Sequence, residues 1–466
     1  MTAVRAGSRD YAVPGPETDA AVEAGLADGQ WFQAEIEPSR LAELSARTNG
    51  RAAFDTTLWL ALIVGAGFLA WNLRSTWWAI PAFAVYGALV GGAADARWHE
   101  CGHGTAFRTG ALNDAVYVFA SFLLARRPLF WRWSHFRHHT DTIIRGRDVE
   151  IAFTRPPSIP GALLRYTHVP GGPLLMWTNV RTAFGRLSDE DRDIVPADDH
   201  RRLIIHARVF TAIWAATVAA AIVTASPWPV LFVGGPTIYG AWLLVFFGIT
   251  QHAGLQENVL DHRRSTRTVL MNPVFRFLYL NMNYHVEHHM FPAVPYHRLP
   301  QLHAEIRDQL APPNPNVAHA YREIFRAFRH QHDDPDWEIP DRAIPEVRGR
   351  RGRIAQEVSW AGGDGRTDLG PADLAPGELK AVRIDGVDYV LARTEGGETV
   401  LVDRMCTHGD ADLADGLVLG CEIECPRHNG RFDLLTGEPT RKPVRQPLGV
   451  RRVHETDGRL QLTMDE

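Results

Sequence analysis

Lysine is nearly absent from this 466-residue chain: of its 49 basic side chains, all but Lys380 and Lys442 are arginine. Cysteine is scarce as well. Of the four present, Cys406, Cys421 and Cys425 crowd together near the C-terminal end while Cys101 stands alone. A disulfide scaffold is shorter and denser in cysteine, so a metal site in a reducing compartment is the expectation. Positive charge is not in excess; the formal net charge is -5. Without a basic stripe to neutralise phosphates, a nucleic-acid partner is not expected. No apolar run follows a basic start at the N-terminus, so no signal peptide is expected. Nor does a G-x-G-x-x-G open a helix after a strand, which makes any nicotinamide- or flavin-binding reductase a separate protein.

Long apolar runs are present, although a mean hydropathy of -0.17 conceals them. Four stand out, at Thr56 to Leu73, Trp77 to Ala94, Phe210 to Ala225 and Trp228 to Thr250. A bilayer core of about 30 Å takes roughly 20 helical residues, so these predict two transmembrane hairpins, the Phe210 run needing its flanks to complete a span. Arg74 and Ser75 join one pair and Ser226 and Pro227 the other, which puts both tips on the face opposite the termini. Arg126, Arg127, Arg132, Arg137, Arg145 and Arg147 lie on the termini's side against a lone Arg74 on the other. The positive-inside rule makes that side cytoplasmic. The run from Ala115 to Ala125 is too short to span and predicts an interfacial or re-entrant helix.

Four regions follow: an N-terminal cytosolic region over 1–50, a membrane body over 51–331, a polar linker over 332–353, and a small β domain over 354–466. The last is predicted from β-type alternation in Ala381 to Leu391 and Thr399 to Asp403, punctuated by Gly and Asp.

Histidine carries the chemistry. His99 and His103 stand in His-Glu-Cys-Gly-His, an i, i+4 pair on one helix face. His135, His138 and His139 form H-x-x-H-H, as do His285, His288 and His289, and His252 sits just past the end of the fourth apolar run. Nine imidazoles on one side of the membrane exceed the needs of one ion, so a dinuclear centre is the economical reading. H-E-x-x-H also occurs in zinc proteases, but that reading leaves the other two clusters without a role. Glu100, Asp141, Glu257 and Glu287 are candidates to orient ligand imidazoles. His206, His262 and His297 lack the spacing and are read as non-ligands.

These clusters resemble the three histidine boxes of the membrane fatty-acid desaturase and hydroxylase superfamily, most closely in Asn283-Tyr-His-Val-Glu-His-His-Met-Phe-Pro292. The resemblance covers roughly residues 50 to 310. It implies a four-helix membrane stem whose cytosolic cap holds two non-haem irons on the nine histidines. Animal acyl-CoA desaturases place a metal-site asparagine four residues before the histidine that precedes the third box. This chain has Gly248 there, which fits an all-histidine site of the alkane-hydroxylase kind equally well.

Cys406-Thr-His408 and Cys425-Pro-Arg-His428 supply one cysteine and one histidine each, the ligand set of a Rieske [2Fe-2S] cluster. A Cys2His2 zinc site pairs its ligands differently. Cys421 falls outside both half-sites and is predicted to lie in a strand. The surrounding sequence resembles the Rieske ferredoxins that serve aromatic-ring dioxygenases. Ala411 and Arg427 stand where respiratory Rieske proteins carry two further cysteines.

The expected architecture is therefore multi-domain: an all-α integral-membrane desaturase-like body with a cytosolic cap, plus a small all-β Rieske domain. The expected function is O2-dependent oxidation of C–H bonds in a lipid or hydrocarbon-like substrate, with electrons passing from an NAD(P)H-dependent flavin reductase through the chain's own cluster. Two alternatives remain open at this point. One is O-demethylation of a small polar substrate, as in the rhizopine-catabolism oxygenase system that the pairing also resembles. The other, of a different class, is a redox-sensing membrane metal transporter.

Overall fold

The computed structural model describes residues 9–27, 29–340, 342–347, 356–358, 366–409, 411–427 and 429–463. The chain divides into two compact units, Met1–Met290 with Val294–Glu346, and Phe291–Ala293 with Val347–Glu466.

The first unit is helical. Among the described residues three segments are long and apolar enough to cross a membrane: Ser39–Leu73, Ala79–His103 and Ala197–Val223. In the first and third only 17% of the apolar window is buried within the protein, and Val64, Phe68, Ile222 and Val223 stand largely exposed. Lipid is the solvent in which that exposure costs nothing. Trp77 and Trp78 project at the tip of the first hairpin, and the Arg74 guanidinium lies 3.9 Å over the Trp71 ring. Aromatic and cationic side chains of this kind sit at the bilayer interface. The Phe210 run gains its missing length on its N-terminal side, where the helix begins at Ala197.

The fourth apolar run differs from expectation. It is not one span but three short helices, Trp228–Phe232, Pro236–Tyr239 and Trp242–His252. The reason is local: Gly234 takes a left-handed φ of +87°, and Pro236 follows with no N–H to continue a helix. Glycine is then required for packing. A Cβ at Gly240 would overlap the Gly87 carbonyl, and one at Gly91 would overlap the carbonyl of Pro236. The broken segment thus meets the Ala79–His103 segment backbone to backbone. At the same level that second segment changes pitch, passing from α-helix Ala79–Gly87 through a π-helical turn, Ala88–Gly92, into α-helix Ala94–His103. The contact fixes the two elements that end in His103 and His252.

The Val317–Asp333 helix extends beyond the start of the expected linker. Trp337 stacks on His330 at 4.5 Å, and Arg342 Nη2 donates to the Thr266 carbonyl at 3.2 Å. Residues 348–353 of that linker lie outside the described residues.

The second unit is a β structure of two sheets. Seven strands run in the order β1(Gln356–Val358), β3(Leu379–Ile384), β4(Val387–Arg393), β5(Thr399–Asp403), β10(Val450–Thr456), β11(Arg459–Thr463) and β2(Arg366–Pro371). Four run in the order β6(Leu417–Leu419), β7(Glu422–Glu424), β8(Arg431–Asp433) and β9(Pro439–Arg441). Alternation along the central strands sorts side chains into two cores. Leu379, Ala381, Val390, Ala392, Val400 and Val402 pack with Cys406, Cys425 and Phe432. Val382, Ile384, Leu391 and Leu401 face the other way, against Leu369, Leu460 and Leu462. Cys421 is not in a strand: with Gly420, at φ +66°, it forms the two-residue turn between β6 and β7. Such a tight hairpin needs positive φ in its loop, which glycine supplies.

Gly240→Ala is expected to destabilise the helical unit by about 1–3 kcal/mol through overpacking. Gly65→Ala, where nothing lies within 4 Å of the added Cβ, is expected to leave it unchanged. Thermal unfolding in detergent compares the two.

Candidate metal centre and electron-transfer site

The nine histidines converge as two groups. His99, His103, His135, His139 and His288 form one, all buried, and His138, His252, His285 and His289 form the other; within each group one ligand atom per residue lies within 4.8 Å of the rest. Helix geometry explains the division. His99 and His103, and likewise His135 and His139, are i, i+4 pairs on one face and enter the first group. His285 and His289 have the same relation and enter the second. The middle histidine of each H-x-x-H-H box is rotated away and crosses over: His138 joins the second group and His288 the first. His139 and His289, one from each group, stack at 4.3 Å with planes 20° apart.

Outer hydrogen bonds set which ring nitrogen faces inward. His135 Nδ1 lies 3.1 Å from Glu150 Oε2, His138 Nδ1 2.8 Å from Asp148 Oδ2, and His252 Nδ1 2.9 Å from the Ser265 carbonyl. Each oxygen is an acceptor, so each Nδ1 donates and leaves the Nε2 lone pair bare. Thr142 Oγ1 donates to the His138 carbonyl at 2.7 Å, so toward His289 Nδ1, at 3.2 Å, it accepts. Inside, the Nε2 atoms of His285 and His252, of His285 and His289, and of His135 and His103 each approach to 3.1 Å.

This arrangement fits a cation. Lone pairs turned toward one another at 3.1 Å repel unless a positive charge lies among them, and that spacing suits neighbouring ligands of an ion about 2.1 Å from each nitrogen. His99, His139 and His288 are buried with neither ring nitrogen hydrogen-bonded, which a metal ligand requires of one of them. Burial, reinforced by the neighbouring imidazoles, holds His139, His285, His288 and His289 well below the ordinary histidine pKa. They are neutral and able to donate lone pairs. Burial pushes Glu150 up, but its interactions with His135, His138 and Ser134 outweigh that and bring it to about 2. Burial opposes charge on His138, yet Asp148 carries it up to about 9, so at this ring a metal ion competes with a proton for Nε2. The donor set, imidazole throughout and split between two groups, fits two irons.

Asp148 and Glu150 were not legible as site residues. They follow His139 through a loop in which Ile143 takes φ +57°, an uncommon conformation for a β-branched residue. Its N–H donates to Asp148 Oδ2 at 2.8 Å, and its carbonyl accepts from Asn258 N at 3.1 Å. The four carboxylates proposed from sequence bond elsewhere. Glu100 accepts from Thr105 Oγ1 at 2.6 Å and Tyr296 N at 3.1 Å, and Asp141 from Arg147 Nε at 3.0 Å. Glu257 gathers Tyr11, Arg145 and Arg155. Glu287 accepts from Thr268 Oγ1 at 2.6 Å and pairs with His303. Of the three histidines set aside, His262 lies closest to the site, its ring 5.0 Å from that of His289.

In the second unit Cys406 follows β5 and Cys425 follows β7, both buried. Backbone bonds shape the two loops: Cys406 N donates to Ala411 O at 3.0 Å, Cys425 N to Gly430 O at 2.8 Å, and Asn429 N to Cys425 O at 3.1 Å. A hydrogen bond from Cys425 outweighs burial and lowers the Cys406 thiol to about 7, toward the thiolate that ligates metal. His408 is exposed on the first loop. His428 lies outside the described residues.

Such a pair of units defines a histidine-rich di-metal oxidoreductase carrying its own iron–sulfur electron carrier. The fatty acid desaturase family model matches residues 75–321 and the Rieske [2Fe-2S] domain model residues 368–453; the chain belongs to the fatty acid desaturase family and ends in a Rieske domain, which implies a [2Fe-2S] cluster. The ferredoxin component of the naphthalene 1,2-dioxygenase system of Pseudomonas putida is 43% identical over 77 residues, 16% of this chain and 73% of the relative. The ferredoxin component of the naphthalene 1,2-dioxygenase/salicylate 5-hydroxylase systems of Ralstonia sp is 37% identical over 93 residues, 20% of this chain and 88% of the relative. Among solved structures, the Sphingomonas yanoikuyae B1 ferredoxin matches at 32% identity over 21% of this chain and 96% of its own, with a TM-score of 0.20.

Removing an outer carboxylate of a metal-bound histidine typically costs 10–100-fold in metal affinity. Asp148→Asn and Glu150→Gln are each expected to weaken iron retention by about that factor. Competition with a chelator measures it, while the Rieske content of the same sample stays constant.

Proposed function

We propose that this protein is an integral-membrane oxygenase or desaturase that uses O2 and electrons from its own Rieske cluster to oxidise C–H bonds of a lipid or hydrocarbon-like substrate. The observation that carries the reading is the burial of two converging imidazole groups in a helical body with lipid-exposed segments, on a chain that also bears a Rieske domain. His99, His103, His135, His139 and His288 would hold one iron, and His138, His252, His285 and His289 the other. Cys406 and Cys425 would hold one iron of the cluster, with His408 and His428 on its partner. When bound, the iron pair supplies the capacity to attack an unactivated C–H bond with O2, at two electrons per turnover.

The protein's own part is orientation and supply. Asp148, Glu150, Thr142 and the Ser265 carbonyl hold imidazoles in the ligating tautomer. Buried surroundings keep water from reactive centres. A one-electron cluster on the same chain replaces diffusional encounter with a high effective concentration, provided the connection spans the two sites. The electrons would come from a separate NAD(P)H-dependent flavin reductase. The broken Trp228–His252 segment would complete a four-part membrane stem, with both termini and both metal sites cytoplasmic. Exposed apolar surface on the membrane segments favours a substrate that enters from lipid.

The test is reductase-driven O2 consumption by the purified chain with a panel of lipids and hydrocarbons. About four irons per chain are expected, two in the cluster and two on histidines. Cys425→Ser is expected to remove the Rieske paramagnetic signal and bring coupled turnover to background while the histidine-bound iron stays. Full iron loading without turnover on any lipid or hydrocarbon would sink the substrate assignment.

A further inference from the structure

Residues 1–50 carry no motif, yet Trp31 and Gln33 within them reach the ends of the second and third histidine boxes. Trp31 Nε1 donates to the Thr140 carbonyl at 3.0 Å, one residue beyond His139. Gln33 Nε2 donates to the Met290 carbonyl at 3.2 Å, one residue beyond His289. Between them Phe32 N donates to the Leu260 carbonyl at 2.8 Å, and the Arg263 guanidinium covers the Phe32 ring at 3.3 Å. The Trp31 indole also stacks on His262, centroids 4.2 Å apart and planes 12° apart, and His262 in turn packs 5.0 Å from His289. Downstream the segment is hooked in place by reciprocal bonds between Glu35 and Gln309, each 2.7 Å.

We infer that the Trp31–Gln33 segment is a positioning strap that sets the spacing of the two metal groups, Trp31 acting on His289 through His262. The inference rests on the di-iron reading above. His139 belongs to one group and His289 to the other, and their rings stack at 4.3 Å. The separation of the two ions therefore depends on how the second box sits against the third. Thr142 bonds His289 directly across the two boxes, and the strap adds a second tie between the boxes' ends. The planar contact restrains ring tilt as a backbone hydrogen bond cannot: His289 is pressed from one side by His139 and from another by His262, leaving its Nδ1 toward Thr142 and its Nε2 inward. Trp31 reaches the site through its ring contact with His262 and its bond to the Thr140 carbonyl, so its effect is on geometry.

The test compares Trp31→Ala, Trp31→Phe and Gln309→Ala in the full-length protein, with the Rieske signal as an internal measure of folded chain. Readouts are iron per Rieske cluster under chelator competition, the Mössbauer parameters of the histidine-bound iron, and the magnetic coupling between the two ions. Trp31→Ala is expected to weaken iron retention about 10–100-fold, the range for residues that orient ligands, and to alter the coupling. Trp31→Phe keeps a flat ring against His262 and is expected to restore both. Gln309→Ala loosens the hook downstream and is expected to leave the coupling unchanged. Wild-type coupling and retention in Trp31→Ala would overturn the inference, as would equal loss in Trp31→Ala and Gln309→Ala, which would make the strap simple adhesive. A wild-type chain with no iron on its histidines would overturn the di-iron reading and this inference together.

Discussion

Neutral imidazole lone pairs, packed where water does not reach, impose the constraint on which the helical unit depends. Each inward nitrogen has given up hydrogen bonds to water and, in the cases where the outer nitrogen is pinned, cannot reverse its tautomer. A buried polar group left without a partner costs on the order of 1–3 kcal/mol. Three histidines, His99, His139 and His288, are buried with both nitrogens unbonded, and the Nε2 contacts at 3.1 Å set lone pair against lone pair. Such a centre is unstable as an ordinary core and favourable as a cation site. Binding energy for metal is then folding energy for the helical unit.

Holding that centre requires elements from distant parts of the chain to arrive at a common point with little freedom. Glycine provides the approach on the membrane side, where Gly87, Gly91 and Gly240 let two segments meet without side chains between them. The π-helical turn at Ala88–Gly92 adds the rotation that brings His99 and His103 onto the inner face of the helix that follows. On the opposite side the loop after His139 returns Asp148 and Glu150 to the outer nitrogens of His138 and His135. The strain at Ile143 is offset there by bonds to Asp148 and Asn258. Membrane packing thus sets where the helices end, and loop chemistry sets how the rings turn.

The sequence disclosed what spacing can encode. Histidines at i and i+4 share a helix face, so the three boxes were recognisable, and alternation in Leu379–Ile384 and Thr399–Asp403 made a β unit readable before any coordinates. It did not disclose the crossover of His138 and His288, because spacing defines a face but not which of two neighbouring ions that face meets. Asp148 and Glu150 escaped notice because their contact depends on a left-handed turn at a residue, Ile143, that gives no sign of one. Hydropathy suggested an unbroken Trp228 to Thr250 helix; a window average does not register that Gly234 and Pro236 interrupt it. Cys421, flanked by Leu419 and Ile423, has the pattern of a strand, and only the two-residue register of β6 and β7 puts it in the turn.

The two units meet opposite demands on their metal ligands, and the contrast accounts for their difference in construction. In the β unit a hydrogen bond from Cys425 brings the Cys406 thiol to about 7, and two loops held by backbone bonds present ligands on a rigid sheet. An electron carrier benefits from this, because little rearrangement between oxidation states keeps transfer fast. The helical unit instead surrounds its centre with imidazoles, which stay neutral when they bind iron and so leave the ions' positive charge largely uncompensated within the inner ring. Compensation comes from one layer out, through Asp148 and Glu150 acting across His138 and His135. Their charge sits beyond an imidazole ring rather than among the inward nitrogens, so the inner ring keeps an all-imidazole donor set while the site's overall charge is moderated. Substituting a carboxylate directly into the inner ring would lower the charge further but give up the all-imidazole donor set. The arrangement of imidazoles inside and carboxylates outside follows from that balance.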